Sequence, residues 1–349
     1  MTTSVILGAG FSRSAGLPLT RELFDKIPAH SSRKDLQRQA DVLAAFEAWR
    51  ADQQAGEANA ERWLEQLYND RDDPLARMRF GTVWADAIRF VLRRLTESAS
   101  ATRPYYYGVA SHKCAETHRA FWETVRTTVG LNYIVTMNYI VTMNYDILAE
   151  RALHSRGADG EHHPDWYYGG FQYRQMVNQI RDVSRKVGDP ARDRVVPLGT
   201  SIPIYKLHGS VNWAWEPHSP SMKIHNDVRA AFRPNEDHGE PAVIPPVPEK
   251  SMHPEFQRIW LEARKVLAAS TTWLICGYSL PAYDLALEQF FREAADEAHG
   301  LERVIVIDPN SPELVDRWSF TGVDVVALPA LQDALANWPF RSVGPLTDN

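Results

Sequence analysis

Tyr139-Ile-Val-Thr-Met-Asn144-Tyr145-Asp146 is an apolar, strand-like run that stops on polar side chains. The text after Asp146, Ile147-Leu-Ala-Glu-Arg-Ala-Leu153, is helical. Strand followed by helix is the unit of a parallel sheet, whose ligand lies beyond the carboxyl ends of the strands. A carboxamide at Asn144 and a carboxylate at Asp146 would therefore face such a crevice. The competing local readings are an N-cap for Asp146 and a turn residue for Asn144.

The same six residues occur twice, as Tyr133–Asn138 and again as Tyr139–Asn144. Twelve residues in one strand would extend about 40 Å, beyond the usual strand length. Six is even, so the duplication preserves which side chains share a face. Only the second copy leads into Asp146 and a helix, which assigns the site to it and makes the first an extension or bulge.

Working outward, Ser4-Val-Ile-Leu7 is a short apolar run followed at once by Gly8-Ala9-Gly10-Phe11-Ser12. A strand, a glycine turn and a helix start can present backbone N–H groups to an anion; the alternative is a plain β–α turn. The dinucleotide fingerprint wants a third glycine where Arg13 stands. Gly16-Leu17-Pro18 closes the short helix. Pro203-Ile-Tyr-Lys-Leu207 reads as a strand ending on His208-Gly209-Ser210, with His208 placed to act as a base near neutral pH.

After Pro254 the pattern is regular. A helix face is formed by Phe256, Ile259, Trp260, Ala263, Val266 and Leu267. The strand Trp273-Leu-Ile-Cys276 ends in Gly277-Tyr278-Ser279-Leu280-Pro281, and Asp284 caps the next helix. Val304–Ile307 ends on Asp308-Pro309-Asn310, and 323–328 is the last strand. The predicted fold is α/β: a doubly wound, Rossmann-like parallel sheet formed by residues 1–18, 131–155, 200–215 and 255–349. Residues 19–130 read as an inserted helical module, with Phe24, Phe46, Trp63, Trp84 and Ile88 on apolar faces. It is broken at Arg71-Asp72-Asp73-Pro74. Residues 156–200 and 216–254 read as irregular insertions, the first holding an aromatic loop at 161–170 that covers the site, makes a subunit contact or simply lies on the surface.

Composition narrows the function. The chain of 349 residues carries a formal charge of −6, unlike a nucleic-acid binder. Its two cysteines, Cys114 and Cys276, far apart in sequence, argue against a disulfide framework and a four-cysteine zinc site, and suit a reducing compartment. The spacing of His112, Cys114 and His118 matches no common zinc pattern. No apolar run reaches ~18 residues and no leader opens the chain, so the expectation is a cytoplasmic protein with no membrane segment.

Gly8-Ala9-Gly10-Phe11-Ser12 through Pro18, Thr142-Met143-Asn144-Tyr145-Asp146, Leu207-His208-Gly209-Ser210 and Gly277-Tyr278-Ser279-Leu280-Pro281 together resemble the SIR2 family. The resemblance spans most of the chain and is closest to the bacterial branch used in anti-phage defence, whose members hydrolyse NAD. It implies an NAD+ glycohydrolase with no metal; the alternatives are an NAD-dependent protein deacylase and a catalytically silent nucleotide-binding subunit. Zinc-bearing deacylases have a four-cysteine module and an Asn-Ile-Asp where this chain has Asn144-Tyr145-Asp146. By resemblance, Gly8, Ala9, Gly10 and Ser12 cradle the diphosphate. Thr142, Gly277 and Ser279 contact phosphate or ribose, and Asp308 holds the adenosine ribose. Asn144 orients water or the nicotinamide ribose, and His208 is the general base or ribose partner. Asp146 supplies negative charge beside an oxocarbenium-like ribose. The resemblance also implies control through homo-oligomer formation or a defence partner: a motor ATPase, an Argonaute-type protein or a nucleotide-signal enzyme.

Overall fold

The computed structural model describes residues 2–13, 16–26, 33–53, 59–70, 83–100, 120–122, 138–156, 162–164, 166–171, 202–215, 222–224, 240–245, 253–282 and 284–331. Its strands are β1 (Thr3–Leu7), β2 (Asn138–Thr142), β3 (His154–Arg156), β4 (His162–Pro164), β5 (Trp166–Tyr168), β6 (Ile202–Lys206), β7 (Gly209–Trp215), β8 (Met222–Ile224), β9 (Pro241–Val243), β10 (Thr272–Cys276), β11 (Arg303–Ile307) and β12 (Asp324–Leu328). The helices are α1 (Ala9–Arg13), α2 (Arg33–Ala51), α3 (Ala60–Asp70), α4 (Val83–Ser100), α5 (Leu148–Ala152), α6 (Pro254–Ala268), α7 (Leu285–Asp296) and α8 (Ser311–Trp318).

Seven strands form one parallel sheet in the order β12-β11-β10-β1-β2-β6-β5. The apolar centre strands are buried on both faces, as parallel strands between helices must be. Register aligns their ends: Leu7 pairs with Cys276 on one side and Thr142 on the other, Thr142 with Lys206, Cys276 with Ile307, and Ile307 with Leu328. Six strand ends therefore stop on one level, and Gly8, Asn144, His208, Gly277 and Asp308 all lie just past it. From β1 the chain moves to β2 on one side; from β10 it moves to β11 on the other. The reversal at the β1/β10 pair is the switch point where open α/β sheets receive ligands.

Of the tandem copies, the second supplies β2, and Asn138 of the first pairs with Thr3; residues 133–137 lie outside the described residues. Two segments differ from the sequence reading. The aromatic loop at 161–170 contains β5, a sheet-edge strand on β6 with Tyr168 buried. The chain also continues past His208 as β7, which pairs antiparallel with β8 and β9 in a separate three-stranded sheet. Three-residue strands such as β5, β8 and β9 are too short to show a period.

Helices α2, α3 and α4 form their own core, in which Phe24 stacks on Phe46 at 4.7 Å and meets Trp63 edge-on at 5.0 Å. Val211, Val243, Tyr145, Ile147 and Leu148 pack onto this core, so the helical module closes against the site end of the sheet. The break at 71–74 and residues His112, Cys114 and His118 lie outside the described residues. Among the described residues no helix is long and apolar enough to cross a membrane.

Candidate functional site

The turn after β1 and the turn after β10 are locked together. Gly8 N–H donates to Cys276 O at 3.0 Å and Gly10 N–H to Gly277 O at 2.9 Å. A Cβ on Gly8 would stand 2.5 Å from Gly277 O, and one on Gly10 2.9 Å from the same oxygen. Within the chain, it is this second backbone that excludes side chains at both positions. Two of the turn's amides are thereby engaged; Ala9 N–H has no acceptor among the described residues.

On the other side of β1, the loop leaving β2 is tied to the same turn. Buried Thr142 donates from Oγ1 to Leu7 O at 3.3 Å and accepts from Asn144 N–H at 3.0 Å, so its hydroxyl serves to shape the loop. Asn144 Nδ2 donates to Gly8 O at 2.9 Å and to Ser12 Oγ at 3.0 Å. Ser12 Oγ donates to Asp146 Oδ2 at 2.6 Å. Asp146 Oδ1 accepts from Leu148 N–H at 2.9 Å. The N-cap of α5 is Ile147, so Asp146 stands one residue before the cap and closes an Asx-type turn rather than serving as the N-cap itself.

These bonds orient Asn144 without ambiguity. Gly8 O can only accept, and the one proton of Ser12 goes to the Asp146 carboxylate; both partners therefore face the Nδ2 end of the amide. With both amide protons used, Oδ1 of Asn144 is a fixed acceptor with no partner among the described residues. Asp146 has both carboxylate oxygens engaged, so it acts on its surroundings through charge and through Ser12.

His208 sits on the turn between β6 and β7 and is 3 % exposed. Its ring lies 6.2 Å from that of Tyr145 and 6.3 Å from that of Trp260, and its carbonyl accepts from Ile244 N–H. Gly209 adopts φ 85° and closes against Ala242, which lets the chain turn out of the parallel sheet and into β7 directly after the histidine. Tyr145, which follows Asn144, donates to Ile244 O at 3.0 Å. Burial, with Glu61 and Asp284 nearby, raises its phenol far above the ordinary 10.0, so it stays a donor.

The outer candidates are more separate. Ser279 is exposed, and its carbonyl accepts from Arg317 Nη1 at 3.0 Å. Asp308 accepts from Asn310 N–H through Oδ1 at 2.9 Å, two strands from β1, with Oδ2 carrying no partner among the described residues. Among the described residues no three metal-ligating side chains converge. Direct hydrogen bonds thus join Ser12, Asn144 and Asp146, with Gly8; His208 approaches through Tyr145. Sequence reading missed Lys206 and Glu150, which lie buried beneath Asp146. A lysine inside the apolar run Pro203–Leu207 was the available signal.

Fold and cluster define a doubly wound α/β protein with a hydrogen-bonded polar constellation beside its topological switch point. No family model and no curated protein matches the chain. Among solved structures it is similar to a mutant Sir2 homologue in complex with 2′-O-acetyl ADP-ribose, at 14 % identity and TM-score 0.45, over 100 % of this chain and 95 % of that one. It is similar to a Sir2 homologue–NAD complex at 12 % identity and TM-score 0.44, over 96 % and 86 %. A Sir2–p53 peptide–NAD+ structure matches at 12 % identity and TM-score 0.42, over 97 % and 93 %. No residue role passes from those proteins to this chain.

Proposed function

We propose that this protein is an NAD+ glycohydrolase, cleaving the bond between nicotinamide and ribose to give nicotinamide and ADP-ribose. The observation that carries the reading is the locked Asn144 amide, whose Oδ1 is held ready to accept a hydrogen bond from a water or ribose hydroxyl. The C1′–N bond breaks with its electron pair moving to the nicotinamide nitrogen, which leaves neutral. The positive charge left on the ribose is stabilised by the Asp146 carboxylate, relayed through Ser12 and Asn144. Water adds to C1′, and His208 accepts its proton or holds the ribose.

Ala9 N–H and the Gly8–Ser12 turn bind the diphosphate in this reading, Gly277 and Ser279 flank it, and Asp308 Oδ2 accepts from the adenosine ribose. An enzyme that destroys NAD+ must be restrained, so control by self-association or by a defence partner belongs to the same proposal. The test is to incubate the full chain with NAD+ alone, then with candidate activators, and to follow nicotinamide release. Release without an acyl substrate, lost by about 10²–10⁴-fold in Asn144→Ala and His208→Ala, is expected. Undiminished turnover in both variants overturns the assignment. A strict need for an acylated peptide makes the protein a deacylase, and nucleotide binding without cleavage makes it a silent subunit.

A further inference from the structure

Beneath the site lies a buried charged group that the chemistry above does not use. Lys206, the last residue of β6, is fully buried, and Glu150 on α5 is 3 % exposed; Nζ and Oε1 are 3.0 Å apart. The same Nζ donates to the backbone carbonyl of Asp146. Tyr168 on the edge strand donates to Glu150 Oε1 at 3.1 Å and lies 3.4 Å from the Asn212 side chain. Burial and the Glu150 carboxylate push the Tyr168 phenol well above its ordinary value, so it remains a donor.

Stability alone does not account for this arrangement. Replacing a buried ion pair with apolar side chains of similar volume is often neutral or stabilising. What an apolar side chain cannot do is donate to the Asp146 carbonyl. That carbonyl belongs to the residue whose carboxylate takes the Ser12 proton and the Leu148 N–H. Ser12 in turn takes an amide proton of Asn144. Holding the Asp146 peptide plane thus sets the direction of everything downstream of it.

We infer that Lys206, braced by Glu150 and Tyr168, is a positioning residue that aims Asp146, Ser12 and through them Asn144. The inference rests on the glycohydrolase reading for its kinetic consequence, though not for its structural one. In Lys206→Met the expected result is a kcat lower by about 10–100-fold with KM within about threefold of wild type. Hydrogen exchange should rise selectively in the segment 143–150 while β1 and β10 keep their protection.

The double variant Lys206→Met/Glu150→Leu separates positioning from stability. It should recover melting temperature without recovering kcat, because nothing then holds the Asp146 carbonyl. Recovery of both together, or exchange that rises uniformly across the sheet, overturns the inference. Should Lys206→Met not fold, the double variant and Tyr168→Phe carry the same comparison. Absence of NAD+ cleavage by wild type would defeat the glycohydrolase reading alone; the exchange pattern would still decide the role of Lys206.

Discussion

Ser12 Oγ lies 2.6 Å from Asp146 Oδ2, a short hydroxyl–carboxylate bond between residues 134 positions apart. It couples the turn after β1 to the loop after β2, and its direction decides which end of the Asn144 amide is presented. Ser12→Ala removes a donor to Asp146 and an acceptor for Asn144 together. The expected outcome is a folded protein, less stable by about 1–3 kcal/mol, with nicotinamide release reduced by about 10–100-fold. Urea unfolding and a nicotinamide assay on the same preparation check both parts.

Asn144→Asp changes one atom pair and is expected to be as damaging as Asn144→Ala. A carboxylate oxygen would replace Nδ2 opposite Gly8 O and Ser12 Oγ, leaving two oxygens facing at 2.9 Å. Turnover should fall by about 10²–10⁴-fold. Retention of activity in Asn144→Asp would show that the amide donors are dispensable.

Gly8→Ala and Gly10→Ala should destabilise in that order of severity. The Cβ at 8 meets both Gly277 O at 2.5 Å and Tyr278 Cβ at 2.6 Å, whereas that at 10 meets Gly277 Cα and O at 2.9 Å. Overpacking of this kind costs about 1–3 kcal/mol. Denaturant midpoints of the two variants against wild type test the ranking; equal stability of all three would contradict the close approach of the two turns.

Alkaline pH should weaken the fold. Burial raises Cys276 above its ordinary 9.0, and Tyr145 and Tyr168 above 10.0. Each is a neutral acid in the folded state and keeps its proton after the unfolded chain has lost it. The unfolded state therefore binds fewer protons, and stability is full below pH 9.0 and falls as pH rises beyond 9.0 to 10.0. Each group contributes a slope of about 1.4 kcal/mol per pH unit. Tyr145→Phe should flatten the curve by one such group, measured as urea midpoints across the alkaline range; an unchanged slope would place Tyr145 in water. The Cys276 thiol should also resist alkylation until the protein unfolds.

Much of the sheet was legible because its strands are short apolar runs stopped by glycine or polar residues. Trp273–Cys276 and Val304–Ile307 fall within one residue of the observed β10 and β11. The places of Asn144 and Asp146 just past the end of β2 were legible for the same reason, standing where an apolar run halts. Illegible were the partners that define them. Ser12 and Asp146, or Lys206 and Glu150, meet only through the fold, and no spacing in the chain records that meeting. Likewise Gly8 and Gly10 signalled a turn, while the second backbone lying on them came from the far side of the sheet.

The central strand carries a consequence for how the molecule is made. Thr2 bonds to Thr271 across 269 residues of sequence, and β1 must pair with β10 as well as β2. During synthesis the first strand leaves the ribosome long before its neighbour on that flank exists. On that flank it waits as an unpaired apolar edge until β10 is made, which makes sheet closure a late event and nascent fragments sticky. Chains truncated before β10 should accordingly be chaperone-bound or insoluble, and folding should begin among α2, α3 and α4, whose contacts with one another span less sequence than those of the sheet.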